Sequence, residues 1–224
     1  MGCAKMVIFK FTKHDNMIFY SHLDMVRQFA LAIRRADMGV NLDKNGNPKM
    51  TFSPPTSIGI ESECEYVEID TNMNPHKLAR ILETYLPDGI KITGEYSSKK
   101  KINISKLASI ARYVIDIDNM QNIQKRLLDT LCDDEFVVKT KMNNVVRITK
   151  ANNYIHKICM ENDKLVVYAF VGAKNISVRQ FVSQALLKMG ESNKIIGIKK
   201  TNLFAIIEER FHDVELLLIR SSSK

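Results

Sequence analysis

No apolar run in this 224-residue chain approaches the roughly 18 residues that a membrane-spanning helix needs, so no membrane span is expected. Met1 to Lys10 holds two lysines and no long apolar core, so no secretory signal is expected and the cytoplasm is the expected location. The four cysteines, Cys3, Cys64, Cys132 and Cys159, stand far apart without a CxxC pair. That spacing argues against a zinc ribbon or an iron–sulfur run. Reduced thiols follow, with Cys64, Cys132 and Cys159 in packing roles and Cys3 as a free, exposed thiol. His14, His22, His76, His156 and His212 show neither HxH nor HxxxH spacing, so no metal site is expected. The GK[ST] signature of a Walker loop is missing, and no strand shows the aromatic RNP signature of the RRM modules. No cofactor is expected.

What is present is an ordinary globular composition, 45% hydrophobic and 26% charged, which excludes a wholly disordered chain. The length allows one large domain or two of roughly 110 residues each. The net charge is +8, and it is uneven. Residues 1–100 carry 13 basic and 12 acidic side chains, whereas residues 101–224 carry 20 and 13. A one-sided basic excess suits a polyanionic partner, most simply RNA. It can equally reflect a lysine-rich composition, since 23 of the 33 basic residues are lysine.

Periodicity gives an element order. Lys5 to Thr12 alternates and reads as a strand, which Ile18-Phe19-Tyr20 can continue after a turn at His14-Asp15-Asn16. Ser21 is a good N-cap with Asp24 three residues on, and Leu23, Val26, Phe29, Ala30 and Ile33 follow at helical spacing. After a loop at 41–49 come a short strand (Met50 to Ser53), a strand (Glu63 to Asp70), a helix opened by Asn74-Pro75, and a strand (Ile90 to Tyr96). The second half reads as a strand from Ala111, a helix from Met120, strands at Phe136 to Lys141, Asn144 to Thr149 and Leu165 to Val171, a helix from Val178, and a strand from Thr201 to Ile207. The expected fold class is α+β: two tandem ferredoxin-like β-α-β-β-α-β units with antiparallel sheets, residues 1–98 and 99–224. An insertion is expected between the second and third strands of the second unit.

Three constellations could carry chemistry. The first is Ser21-His22-Leu23-Asp24 with Arg27, Arg34 and Arg35. A helix N-terminus favours anions, and a neutral His22 near a bound phosphate could move protons. Alternatively Ser21 caps, Asp24 favours the dipole, and the arginines form a solvated face. The second is Asn45-Gly46-Asn47-Pro48-Lys49 with Ser53 and, further on, Gly59, Glu61, Ser62, Glu65 and Tyr66, where backbone amides and Lys49 could meet a phosphate, or where the chain simply turns. Glu61, Glu63 and Glu65 alternate on one strand, so a paired-carboxylate site is weakly supported. The third is Phe136 to Met160, which holds Lys139, Lys141, Arg147, Lys150 and Lys157, with Tyr154 and His156, and no acidic residue. Basic residues with an interleaved aromatic fit single-stranded RNA, although a solvated hairpin would look the same. Lys194, Lys199 and Lys200 could extend this patch.

The segments Phe19-Tyr20-Ser21-His22-Leu23-Asp24, Arg34-Arg35-Ala36, Asn47-Pro48-Lys49-Met50-Thr51-Phe52 and Gly59-Ile60-Glu61-Ser62-Glu63-Cys64-Glu65-Tyr66 form a pattern. It resembles the radical-SAM-associated family of bacterial proteins of unknown function, typically "FLSHLD…RALRRAG…GFNPHPK(I/M)SF…G.ESE.EY". Val146 to Ile155 lies where that family has a short basic segment. The family pattern has a His inside its Asn-Pro–Pro-Lys loop, and Asn45-Gly46-Asn47-Pro48-Lys49 lacks it. The resemblance implies association with a radical SAM protein and neighbourhood links to ribonuclease and ribosomal-protein genes. This chain has no CxxxCxxC of its own, so that chemistry would belong to a partner. The element order also resembles, at the level of fold, the CRISPR repeat-processing endoribonucleases, which often place a catalytic His where His22 falls.

The expected function is an RNA-binding accessory protein for tRNA or rRNA, working with a separate radical SAM enzyme. The alternatives are a metal-independent ribonuclease, with His22 as catalytic residue and Arg27 or Lys49 stabilising the phosphorane, and a protein-interaction adaptor without RNA. The expected binding residues are Ser21, Asp24, Arg27, Arg34, Arg35, Asn47, Lys49, Ser53, Glu65, Lys139, Lys141, Arg147 and Tyr154.

Overall fold

A computed structural model describes residues 6–142, 145–192 and 194–222. In chain order the elements are β1 (Met6–Lys13), α1 (His22–Arg35), β2 (Met50–Phe52), β3 (Glu61–Asp70), α2 (Pro75–Glu83), β4 (Ile92–Ser98) and α3 (Ile104–Leu107). They continue as β5 (Ile110–Ile117), α4 (Met120–Leu131), β6 (Val137–Met142), β7 (Val145–Lys150), β8 (Ile155–Glu161) and β9 (Lys164–Phe170). The last are α5 (Val178–Lys188), β10 (Ile195–Ile207), β11 (Arg210–Asp213) and α6 (Val214–Ser222). The class is α+β, with mostly antiparallel strands and six α-helices among the described residues.

The chain folds as two compact units. Unit 1 holds the described residues up to Ala108 and those from Asn202 onward, and unit 2 is Ser109–Thr201. The boundary thus differs from the expected division at residue 98. The reason is that the chain returns to unit 1. Glu215 at the start of α6 accepts from Lys10 Nζ (2.6 Å) and from the Tyr96 hydroxyl (2.7 Å), and Ser222 Oγ donates to the Ser97 carbonyl (3.1 Å).

In unit 1 the strands run β4-β1-β3, with β2 also pairing β3, and each of these pairs is antiparallel. β1 is central, so both of its faces are buried, and its apolar residues fill both phases of the pleat. Val7, Phe9 and Phe11 pack with Met25, Phe29, Ala32 and Ile33 of α1 and with Leu78, Ala79 and Leu82 of α2. Each of these side chains other than the alanines contributes on the order of 2 kcal/mol by burial. On β3, Glu68 is fully buried and accepts from the backbone amides of Ile102, Asn103 and Ile104, which fixes the start of α3.

Two expectations for unit 1 change. Residues 15–19 form a 3-10 helix rather than a strand continuation, opened by Asp15 at φ 51°. The turn is pinned because His14 N donates to the Gly89 carbonyl (2.9 Å). Gly89 sits at φ +89°, where a Cβ would lie 2.6 Å from the His14 oxygen, so only glycine fits. Leu23 is 65% exposed, because the buried stripe of α1 runs through Met25, Phe29, Ala32 and Ile33 instead.

In unit 2 the strand order is β10-β5-β9-β8, and the β5–β9 and β8–β9 pairs are antiparallel. The hairpin β6–β7 forms a separate two-stranded sheet. The strand beside β9 is therefore β8, within the basic stretch, and the insertion falls between α4 and β8. The β8–β9 turn holds Asn162 and Asp163 at φ 49° and 59°, a geometry that Asn and Asp tolerate. Tyr113, Ile115, Leu165, Val167 and Ala169 are buried on one face. Register places Arg112 opposite Tyr168 and Lys157 opposite Tyr168 on the other.

Candidate functional site

The start of α1 is built by its own cap. Ser21 Oγ accepts from Asp24 N (3.3 Å), and the Asp24 carboxylate accepts from Ser21 N (3.1 Å) and Ser21 Oγ (2.6 Å). These Ser21 bonds, the hydroxyl first, hold the Asp24 carboxyl below the usual carboxylate range. Arg27 reaches Asp24 at 3.3 Å on the exposed surface. Ser21 and Asp24 thus serve one another, which is the capping alternative. At the other end of α1, Arg34 donates to Asn47 Oδ1 (2.9 Å) and to the Gly46 carbonyl (3.3 Å), while Arg35 is exposed. The loop carrying Asn47 and Lys49 is therefore tied to α1. Within it Asp43 accepts the amides of Asn47 (2.9 Å) and Asn45 (2.8 Å), which hold its carboxyl below the usual range.

His22 is exposed, with its ring edge-on to Phe52 at 5.7 Å between centroids. It stands over a small pocket of about 10 Å³, room for about one water, whose polar lining is Lys13, Ser53, Thr56 and Glu65. Lys13 is 3% exposed and Glu65 6%. Lys13 Nζ donates to the Tyr20 carbonyl (2.9 Å), the Thr56 hydroxyl donates to Glu65, and Ser53 Oγ accepts from Tyr66 N (3.0 Å). Burying an ammonium and a carboxylate costs several kcal/mol per ion before pairing, so this pocket is a costly feature of unit 1.

The structure brings Ser53 and Glu65 to His22, but not Lys49. Lys49 lines a different cleft, at the other end of β2. The cation beside His22 is Lys13, which the motif reading passed over. The signal existed: Phe9, Phe11 and Lys13 share one phase of a strand, and a lysine on an apolar face is informative. Of the alternating glutamates, only Glu65 is buried, while Glu63 is exposed and Glu61 lies 3.7 Å from His14.

In unit 2 the basic stretch separates into parts. Lys139 is exposed, and its backbone exchanges two hydrogen bonds with the Gln184 amide. Lys141 and Arg147 lie on β6 and β7, but their side chains, like Asn144 and Cys3, lie outside the described residues. Lys150 pairs with Glu135 (2.7 Å), so the stretch that lacks acids in sequence meets them in space. Lys200 is fully buried and does not extend a surface patch. Of the cysteines expected to pack, Cys64 is buried, Cys159 half-buried and Cys132 exposed.

A different group gathers on β8 and β9. Tyr168 and Phe170 stand two residues apart on one face of β9. Lys157 Nζ lies 5.7 Å above the Tyr168 ring, and Lys174 Nζ lies 6.0 Å above Phe170. His156 meets Phe170 edge-on at 6.3 Å, and the Tyr154 carbonyl accepts from Phe170 N (2.9 Å). Arg112 donates to Thr201 Oγ1 (2.8 Å), to Glu161 and to the Tyr168 hydroxyl. Burial lowers the Arg112 pKa, but the Glu161 and Tyr168 bonds outweigh it and raise it. Tyr168, Phe170 and Lys174 were missed because they match no RNP consensus. Their signal was an i, i+2 aromatic pair in a strong strand.

One family pattern matches residues 6–189 of this chain. The chain belongs to the family "Uncharacterized protein conserved in bacteria (DUF2344)". Comparison with curated proteins finds no match. Among solved structures, one similar chain comes from "Crystal Structure of a Cbf5-Nop10-Gar1 Complex", with a TM-score of 0.48 and 10% identity. The alignment covers 88% of this chain and 48% of that one, so this chain spans about half its length. A second is DyPB from Rhodococcus jostii RHA1, with a TM-score of 0.28, 7% identity, and coverage of 87% and 90%. At these scores the two likenesses say nothing about function. Among the described residues, no group of His, Cys, Asp and Glu could hold a metal ion, and no helix is long and apolar enough to cross a membrane.

Proposed function

We propose that this DUF2344 protein is an RNA-binding accessory protein that holds a single-stranded segment of tRNA or rRNA for a separate radical SAM enzyme. The observation that carries the RNA reading is the face of β8 and β9, where Lys157 lies over Tyr168 and Lys174 over Phe170. Aromatic rings offer stacking platforms to bases of any sequence, and lysines beside them meet the connecting phosphates. Lys157 and Lys174 are exposed, so a base can replace each ammonium on its ring while the ammonium pairs with phosphate. Unit 2 carries 15 basic and 9 acidic residues, which adds a favourable long-range field. The radical SAM partner rests on the motifs between residues 19 and 66.

Fluorescence anisotropy with a labelled single-stranded RNA, titrated across salt concentrations, tests the reading. Each phosphate contact contributes about 0.7 to the slope of log K against log salt for a single strand. Lys157→Ala with Lys174→Ala should therefore reduce the slope by about 1.4. RNA binding with an unchanged slope, or no binding at low salt, would contradict it.

A further inference from the structure

We propose that the cleft beside Lys49 in unit 1 binds a nucleoside monophosphate, either free or as the phosphorylated end of an RNA. The cleft measures about 480 Å³, within the range of about 300–1,000 Å³ usual for small-molecule sites. Two chain segments supply its cations: Lys49 from the loop before β2, and Lys99 and Lys101 from the segment after β4. The apolar part is Met6, Pro48 and Met50. Asp43 and Asp70 also line the cleft.

The charge pattern selects the ligand class. Lys49 and Lys101 present exposed ammonium groups to the cleft from two separate segments, which suits a phosphate monoester. The carboxylates are already engaged: Asp43 by the amides of Asn45 and Asn47, and Asp70 by Asn41 Nδ2 at 2.7 Å. Each carboxylate oxygen has further acceptor capacity, which suits the exocyclic amino group of adenine, cytosine or guanine. Methionine thioethers pack favourably against a flat ring. Inorganic phosphate alone would use the lysines and leave the rest of the cleft empty. The Asn45–Lys49 loop suggested a phosphate site with a single cation, and the fold adds Lys99, Lys101 and the apolar floor. This proposal does not depend on the β8–β9 face, which lies in the other unit.

The test is a titration of methyl-labelled methionine in the full chain, following the Met6 and Met50 resonances by NMR. The probes are CMP, AMP, UMP, inorganic phosphate, and one RNA oligonucleotide with and without a 5′-phosphate. Saturable Met50 shifts are expected with CMP or AMP, with UMP weaker and inorganic phosphate at least tenfold weaker. Lys49→Ala with Lys101→Ala should raise the dissociation constant at least tenfold. Both lysines are exposed, so the variant should keep the native circular dichroism and melting temperature. Tighter binding of the phosphorylated oligonucleotide than of the mononucleotides assigns the site to an RNA end, and the reverse assigns it to a free nucleotide. The proposal is overturned if no nucleotide moves Met50, if inorganic phosphate binds as tightly, or if the double variant binds unchanged.

Discussion

Replacing Tyr168 and Phe170 together with alanine is expected to weaken single-stranded RNA binding at least thirtyfold. Base–aromatic stacking is worth about 1–3 kcal/mol per base, so losing two platforms removes at least about 2 kcal/mol. Tyr168→Phe is the informative control. It keeps the ring under Lys157 and loses only the hydroxyl that accepts from Arg112, so its affinity should stay within a few-fold of the wild type. Anisotropy with the same labelled RNA reads both variants, and circular dichroism checks that each is folded. A double-alanine variant that binds like the wild type would remove the aromatic platform from the account.

The second large effect concerns Glu68. Its carboxylate is fully buried and accepts from three consecutive amides, Ile102 at 2.6 Å, Asn103 at 3.0 Å and Ile104 at 3.4 Å. Glu68→Ala leaves these donors without their acceptor and opens a cavity. An unsatisfied buried donor costs about 1–3 kcal/mol, so a loss of about 3 kcal/mol or more is expected in urea denaturation. Glu68→Gln keeps one carbonyl acceptor, and its loss should be clearly smaller. A Glu68→Ala change below about 1 kcal/mol would show that the segment after β4 finds other partners.

Where local chemistry decides structure, the sequence reading and the fold agree. The Ser21–Asp24 cap and the Asn74-Pro75 start are both present, because a cap is satisfied within three residues. The strands from β1 to β4 follow from alternation and from the turn residues of the 41–49 loop and Asn74-Pro75. What was not legible depends on distant contacts. Tyr96 and Glu215 meet across 119 residues, and no local pattern announces that α6 returns to unit 1. The burial of Lys200 is likewise set by its neighbours in space. β8 lies in a basic stretch without clean alternation, and only Asn162-Asp163 marks its turn.

The candidate site divides in the same way. His22, from the first constellation, and Ser53 and Glu65, from the second, meet around one pocket. Lys13 replaces Lys49 there because strand phase, not motif membership, decides which cation faces His22. The expected RNA-binding residues in unit 2 were Lys139, Lys141 and Arg147 with one aromatic, Tyr154. The fold instead points to aromatic residues beneath charge, on a strand that carried no recognised consensus.

The most direct test of the central reading is ultraviolet crosslinking of the intact protein to its RNA in cells, followed by mass spectrometric mapping of the crosslinked peptides. Crosslinks at Tyr168 or Phe170, within the β9 segment Lys164–Phe170, to tRNA or rRNA are the predicted result. Crosslinks confined to unit 1, or protein recovered without RNA, would contradict it.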